Sequence, residues 1–258
     1  MNPYRWLINR VKTSLRYVIR QELDAGMNRW LLRDIIHEEF DAGMNRWLRD
    51  IDFGLRLRAI LDSASFVQKN IPLHKRFDPF TLRQRALELA PKEGLLMEFG
   101  VWKGMWINRI ASWTDRQVYG FDSFEGLPEP WSFRPRAFFA VDTVPDVRRN
   151  VILVKGRFAD SLPIFLREHP EHIAFIHMDC DLYSSTRTVL ELVKDRLVSG
   201  TTIVLDDFLM EPGWQSQEHK AWLDFAQINK VEFEYFGYQT NIACAVGVQI
   251  TKSPTKGG

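Results

Sequence analysis

The sequence is poor in cysteine. Its 258 residues include two cysteines, Cys180 and Cys244, both in apolar runs that read as strands. So few thiols exclude a disulfide scaffold and fit a reduced, cytoplasmic setting. A dominant charge is lacking too: 34 Lys and Arg against 33 Asp and Glu leave a formal charge of +1. That balance gives no global attraction to nucleic acid. No run of 18 apolar residues occurs, which excludes a transmembrane helix. The amino terminus has neither a continuous apolar core nor a small-residue cleavage site, so it does not read as a signal peptide. Two phosphate-binding patterns are absent as well, G-x-G-x-x-G and the Gly-Lys-Ser/Thr loop. A pyrophosphate therefore has no dedicated cradle. This disfavours nucleotide-sugar and NAD enzymes, as does the lack of a Tyr-x-x-x-Lys pair.

What is present divides into two regions. Residues 1–90 are rich in Arg, Leu and Trp, with apolar positions at helical spacing, as in Tyr4, Leu7, Val11, Leu15, Val18 and Leu23. They read as a helical cap and oligomerisation region, so a homo-oligomer is expected. The first twenty residues carry Arg5, Arg10, Lys12, Arg16 and Arg20 and no acid. Such a basic amphipathic helix either packs on its own domain or a partner, or makes a peripheral membrane contact. The region also holds a duplication: the octet from Asp24 to Leu31 recurs from Asp41 to Leu48. Two copies do not make a solenoid.

Residues 91–258 alternate short apolar runs with helical stretches. The runs are Leu95–Phe99, Gln117–Phe121, Val151–Val154, Ile173–Met178, Thr201–Leu205, Val231–Tyr235 and Ile242–Ile250. Alternation of this kind predicts a Rossmann-like α/β fold: a seven-stranded, mostly parallel sheet with helices on both faces. The last two strands are expected to form an antiparallel edge pair.

In such sheets ligands bind beyond the carboxyl ends of the strands, so polar residues that follow apolar runs carry the argument. Glu98 ends the first run and is followed by Gly100 and Gly104, which let the chain turn and a ligand approach the backbone. A ligand without a pyrophosphate, such as S-adenosylmethionine (AdoMet), fits this turn. Asp122 and Ser123 end the second run, where an acid accepts hydrogen bonds from ribose hydroxyls or caps a helix. Asp160 and Ser161 either flank an adenine or cap a helix beginning near Pro163. Asp179 and Asp181 follow the fourth run, and Asp206 and Asp207 the fifth. Four carboxylates at neighbouring strand ends repel unless protonated or neutralised, and an all-oxygen set suits Mg²⁺, Mn²⁺ or Ca²⁺ better than zinc. Helix caps and salt bridges to nearby arginines are the alternative reading.

Taken in order, five stretches resemble the macrocin O-methyltransferase (TylF-like) family of class I methyltransferases. They are Glu98-Phe-Gly-Val-Trp-Lys-Gly104, Tyr119-Gly-Phe-Asp-Ser-Phe-Glu-Gly-Leu-Pro128, Gly156-Arg-Phe-Ala-Asp-Ser-Leu-Pro163, His177-Met-Asp-Cys-Asp-Leu-Tyr183 and Leu205-Asp-Asp-Phe208. The resemblance implies that Glu98 and Gly100 border the methionine part of AdoMet. It puts Asp122, with Ser123, at the ribose and has Asp160 and Ser161 flank the adenine. Asp179, Asp206 and Asp207 would bind Mg²⁺, and Asp181 would be the general base. The implied reaction is metal-dependent transfer of a methyl group to a hydroxyl of a small molecule, in this family a sugar of a glycosylated natural product. Met105 and Cys180 stand where the family carries glycines, and Glu218-His-Lys-Ala221 replaces a Cys-Arg-x-Ala segment. His219 is read as a surface histidine or an accessory base. Trp131, Phe133 and Trp214 are read as cleft aromatics. The rival readings are a nucleotide-sugar or NAD enzyme and a non-catalytic interaction protein.

Overall fold

A computed structural model describes residues 50–240 and 245–254. The basic amino-terminal stretch, the duplicated octets and Cys244 lie outside them. After a helix at Ile51–Asn70 (α1) come strand Arg76–Phe77 (β1) and helix Pro79–Leu89 (α2). The alternating region supplies Leu95–Phe99 (β2), Met105–Ala111 (α3), Val118–Asp122 (β3), Val151–Lys155 (β4), Phe158–Glu168 (α4), Ile173–Met178 (β5), Tyr183–Val193 (α5), Leu197–Leu205 (β6), Glu218–Ile228 (α6), Glu232–Gln239 (β7) and Val246–Lys252 (β8).

The strands form one eight-stranded mixed sheet in the order β1-β7-β8-β6-β5-β2-β3-β4. Seven strands were expected. The extra one is β1, two residues long and parallel to β7, too short to leave a period in the sequence. Only β8 runs against its neighbours. It does pair antiparallel with β7, but β1 lies outside that pair, so β7 and β8 do not form the edge.

Sheet faces follow from alternation along the strands. In β2, Met97 and Phe99 turn to one face, with Leu162, Phe165, Val189, Trp222 and Phe225 of α4, α5 and α6. Leu96 turns to the other, with Leu82 and Ala86 of α2 and Ile107 and Ile110 of α3. α2 is capped by Asp78, which accepts from the amides of Phe80 and Thr81, and Pro79 fills its first position. α4 departs from expectation. It begins at Phe158, not near Pro163, which lies inside the helix, so neither Asp160 nor Ser161 is its cap. No described helix is long and apolar enough to cross a membrane.

Between β2 and β5 the order of the chain reverses: β3 and β4 lie to one side, β6 to the other. Ligand crevices form at such a switch point. Here the register is even, with Phe99 beside Phe121 and Met178, and Met178 beside Leu205. The next residues therefore form a row, Asp122, Gly100, Asp179 and Asp206. Gly100 N–H donates to Phe121 O (2.9 Å), Asp179 N–H to Phe99 O (2.8 Å) and Asp206 N–H to Met178 O (2.8 Å).

Candidate functional site

A pocket of about 440 Å³ opens over this row. Gly100, Asp122 and Ser123 line one side, Gly156, Arg157, Phe158 and Ala159 another, and Asp179, Cys180 and Asp181 a third. The long β3–β4 connection closes it with Leu127, Arg136 and Phe139. Of the ten residues singled out in the sequence, five meet at this pocket: Gly100, Asp122, Ser123, Asp179 and Asp181.

Asp122 is fixed by backbone donors. Its Oδ2 accepts from Val101 N (2.8 Å) and Trp102 N (2.7 Å), and its Oδ1 from Phe124 N (2.7 Å). It thereby ties the β2 turn to the end of β3. No helix follows, so Asp122 is not a helix cap. An ionised carboxylate has about four acceptor sites, so one remains for a ligand.

The remaining five sit elsewhere. Asp160, exposed, and Ser161 face a separate depression with Tyr119, Ile164 and His169. Glu98 is buried behind the pocket, its Oε2 3.3 Å from His177 Nδ1. Burial, with the charge of Asp179 adding, pushes Glu98 well above the usual carboxylate range. Asp206 lies on the same side, beside Arg83 and His177 (3.6 Å to Nε2). Asp207 faces the other way, where Asp179, Asp181 and Asp207 bring ligand atoms within 4.8 Å of one another. A second trio, His177, Asp179 and Asp206, meets the same limit, so Asp179 belongs to both.

Asp181 adopts a left-handed backbone (φ 62°) just past β5 and is buried. This turn explains a departure from expectation. β5 ends at Met178, so strand alternation does not carry on through Cys180. The thiol lines the pocket and lies 3.7 Å from Phe99 O, and burial raises its pKa, so it is not a reactive thiolate.

Burial raises Asp179 and Asp181 first, and the charge of Asp207 adds to it. Asp179 is pushed up to about 8, and Asp181 well above the usual range by burial and then by Asp207 and Asp179. A folded-state pKa above the unfolded value means the native protein holds more protons, so stability falls as pH rises toward 8. His177, held low by burial and Arg83, acts in the opposite sense but only below its unfolded pKa. Between about pH 6.5 and 8 the carboxylates therefore govern. Thermal melts in chelator should show a midpoint that drops across this window, and Asp179→Asn should flatten the drop. A midpoint indifferent to pH, or an unchanged slope in the variant, would contradict the cluster.

Several contributors carried no sequence motif. Arg83 of α2 is fully buried. Its Nε donates to His177 Nε2 (3.0 Å), its Nη1 to Pro79 O and Gln239 Oε1 (both 2.9 Å), and its Nη2 to Asp206. The guanidinium also stacks on Trp106, 3.7 Å from the ring centroid. Glu218, the first residue of α6, is fully buried and accepts from Asp207 N at 3.0 Å. Among aromatics the pocket is lined by Trp102, Phe139 and Phe158. Trp131, Phe133 and Trp214 do not line it. Trp131 and Trp214 are buried, and Phe133 is exposed beside Arg56. His219 is not a surface histidine: its ring packs against Phe66, Phe208 and Trp214, and burial lowers its pKa to about 4.

Residues 97–208 match the model of a methyltransferase domain. The chain is similar to an 8-demethyl-8-(2,3-dimethoxy-alpha-L-rhamnosyl)-tetracenomycin-C 4'-O-methyltransferase from Streptomyces olivaceus, with 32% identity over 46% of this chain and 54% of that protein. It is also similar to a demethyldecarbamoylnovobiocin O-methyltransferase from Streptomyces niveus, with 30% identity over 52% of this chain and 60% of the relative. The matches thus span little more than half of either relative. A solved calicheamicin methyltransferase shares the fold, with a TM-score of 0.53 and 23% identity over 66% of this chain and 76% of that one. The solved O-methyltransferase NovP does so with a TM-score of 0.51 and 22% identity over 67% and 79%.

Proposed function

We propose that this chain is a metal-dependent, AdoMet-dependent O-methyltransferase of the macrocin (TylF-like) type, cytoplasmic, acting on a sugar hydroxyl of a glycosylated natural product. The observation that carries the reading is a single pocket whose one wall is a glycine turn with a ribose-ready acid and whose other wall is a cluster of carboxylates. The methyltransferase domain match and the two O-methyltransferase relatives support the same chemistry.

AdoMet supplies a methyl group already activated on a sulfonium. On this reading Gly100 leaves room for its methionine part, Asp122 and Ser123 hold the ribose hydroxyls, and Phe158 and Ala159 flank the adenine in place of Asp160 and Ser161. Glu98 supports the turn from behind. The donor set fits a hard divalent cation: the acids offer only oxygen and are crowded, and Asp179 and Asp181 are raised in pKa by burial and then by their acidic neighbours. Asp179 and Asp207 would hold Mg²⁺ or Mn²⁺, which makes an alcohol hydroxyl more acidic. On this reading Asp206, expected from the sequence as a third ligand, instead pairs with Arg83 and His177 on the opposite side. Asp181 takes the acceptor's proton as the hydroxyl oxygen attacks the methyl carbon and the sulfur keeps the electron pair of the broken bond. Trp102, Leu127 and Phe139 offer an apolar face to a sugar or aglycone.

Calorimetric titration with AdoMet tests the donor half. The native chain should bind, and Asp122→Ala should bind about 10- to 100-fold more weakly, the value of one hydrogen bond to a charged group. Absence of binding by the native chain would end the proposal. Mass spectrometry with a rhamnosyl-tetracenomycin and a demethyldecarbamoylnovobiocin as acceptors, with and without Mg²⁺, tests the other half.

A further inference from the structure

The acid cluster has a neighbour that the reading above leaves without a role. Glu218 is fully buried at the start of α6, and its two oxygens differ. Oε2 accepts the Asp207 amide at 3.0 Å, whereas Oε1 is buried and has no hydrogen-bond partner among the described residues. An orphaned buried carboxylate oxygen is costly, so its retention calls for a partner. The charges that act on Glu218 are those of Asp207 and Asp179, both negative, and Glu218 in turn acts on Asp181 and Cys180. Asp181 and Asp207 already share a hydrogen bond, which two carboxylates form only if one keeps a proton. The buried guanidinium in the region, Arg83, bonds Asp206 and His177.

We propose that Glu218 is a further acidic member of the cation site, holding Asp207 through Oε2 and binding the cation or one of its water ligands through Oε1. The inference rests on the metal-dependent reading above. It adds a carboxylate from α6, outside the strand ends, and so makes the position of that helix part of the metal site. Beside Asp207 and Asp179 it reaches the ion directly or through a bound water and leaves Asp181 free to act as the base.

The test is titration of the full chain with Mn²⁺ alone, followed by calorimetry and by the electron paramagnetic resonance signal of free Mn²⁺. Glu218→Gln keeps the shape and an acceptor for the Asp207 amide. It should bind Mn²⁺ at least about 10-fold more weakly than the native chain, the usual effect of removing a group that supports a ligand. Its AdoMet affinity should be unchanged and its metal-free melting midpoint higher, because a buried like charge is gone. Glu218→Asp, which keeps the charge on a shorter arm, should fall between the two in Mn²⁺ affinity. Native-like Mn²⁺ affinity in Glu218→Gln would overturn the assignment. A native chain that methylates an acceptor in chelator and binds no Mn²⁺ would overturn it too, while leaving methyl transfer standing. Tight, Glu218-dependent Mn²⁺ binding without any methyl transfer would uphold the site and sink the proposed function.

Discussion

Asp181→Asn should lower turnover by about 10²–10⁴-fold, the typical contribution of a positioned general base. It should leave AdoMet affinity nearly unchanged. The backbone argument is favourable, because Asp181 sits at φ 62° and asparagine accepts the left-handed region as readily as aspartate does. The charge argument is favourable too. The carboxylate is buried among Asp207, Asp179 and Glu218, all of which push its pKa up. Its removal should therefore raise the metal-free melting midpoint at pH 8. A variant that folds better and works worse separates chemistry from structure. Turnover within tenfold of native, measured at saturating AdoMet, would place the base elsewhere.

The strand ends were legible because each apolar run stops at a polar residue. Leu95–Phe99 and Ile173–Met178 are the same in the sequence reading and in the structure. The even register then makes a row of what the sequence shows only as separate motifs, Gly100, Asp122, Asp179 and Asp206. Where residues turn was less legible. Asp206 and Asp207 are adjacent, yet one meets Arg83 and the other Asp179 and Asp181, because β6 ends at Leu205 and both acids lie in the turn that follows, where strand alternation no longer tells which way a side chain goes. The start of α4 was missed because Pro163 invites a reading as the first turn, while the helix accommodates it in its interior. With the helix beginning at Phe158, Asp160 and Ser161 rotate away from the pocket.

Arg83 and Glu218 mark what sequence reading does not reach. Arg83 sits in an ordinary helix stretch with no motif, and its importance exists only once α2 lies on β6, β7 and β8. Glu218 could have been flagged as a departure from the family pattern, but nothing in its neighbours along the chain places it beside Asp207, eleven positions earlier. Groups that face one another across the fold are invisible to spacing.

Gly100→Ala should be the most damaging single substitution at the site, because Gly100 is where the donor side and the acid side touch. Its φ of 91° is already unfavourable for a residue with a side chain. More decisive is space: a Cβ would lie 1.8 Å from Asp179 O and 2.8 Å from Asp179 C. These are backbone atoms and cannot swing aside. Asp179 N–H is bonded to Phe99 O and Gly100 N–H to Phe121 O, so β2 can yield only by giving up its bonds to β5 or β3. The loss should exceed about 4 kcal/mol, in the range reserved for strain or overpacking at a special backbone position. At about 2–4 °C per kcal/mol for a domain of this size, the midpoint should fall by roughly 10 °C or more. AdoMet and Mn²⁺ binding should fail together, unlike in Asp181→Asn, because one displacement moves both walls. Gly54→Ala in α1 is the control: among the described residues nothing lies within 4 Å of its added Cβ, so a gain of about 0.5–1 kcal/mol is expected. A Gly100→Ala chain that melts with the native one and still binds AdoMet would show that the turn and Asp179 do not meet as closely as the structure has them.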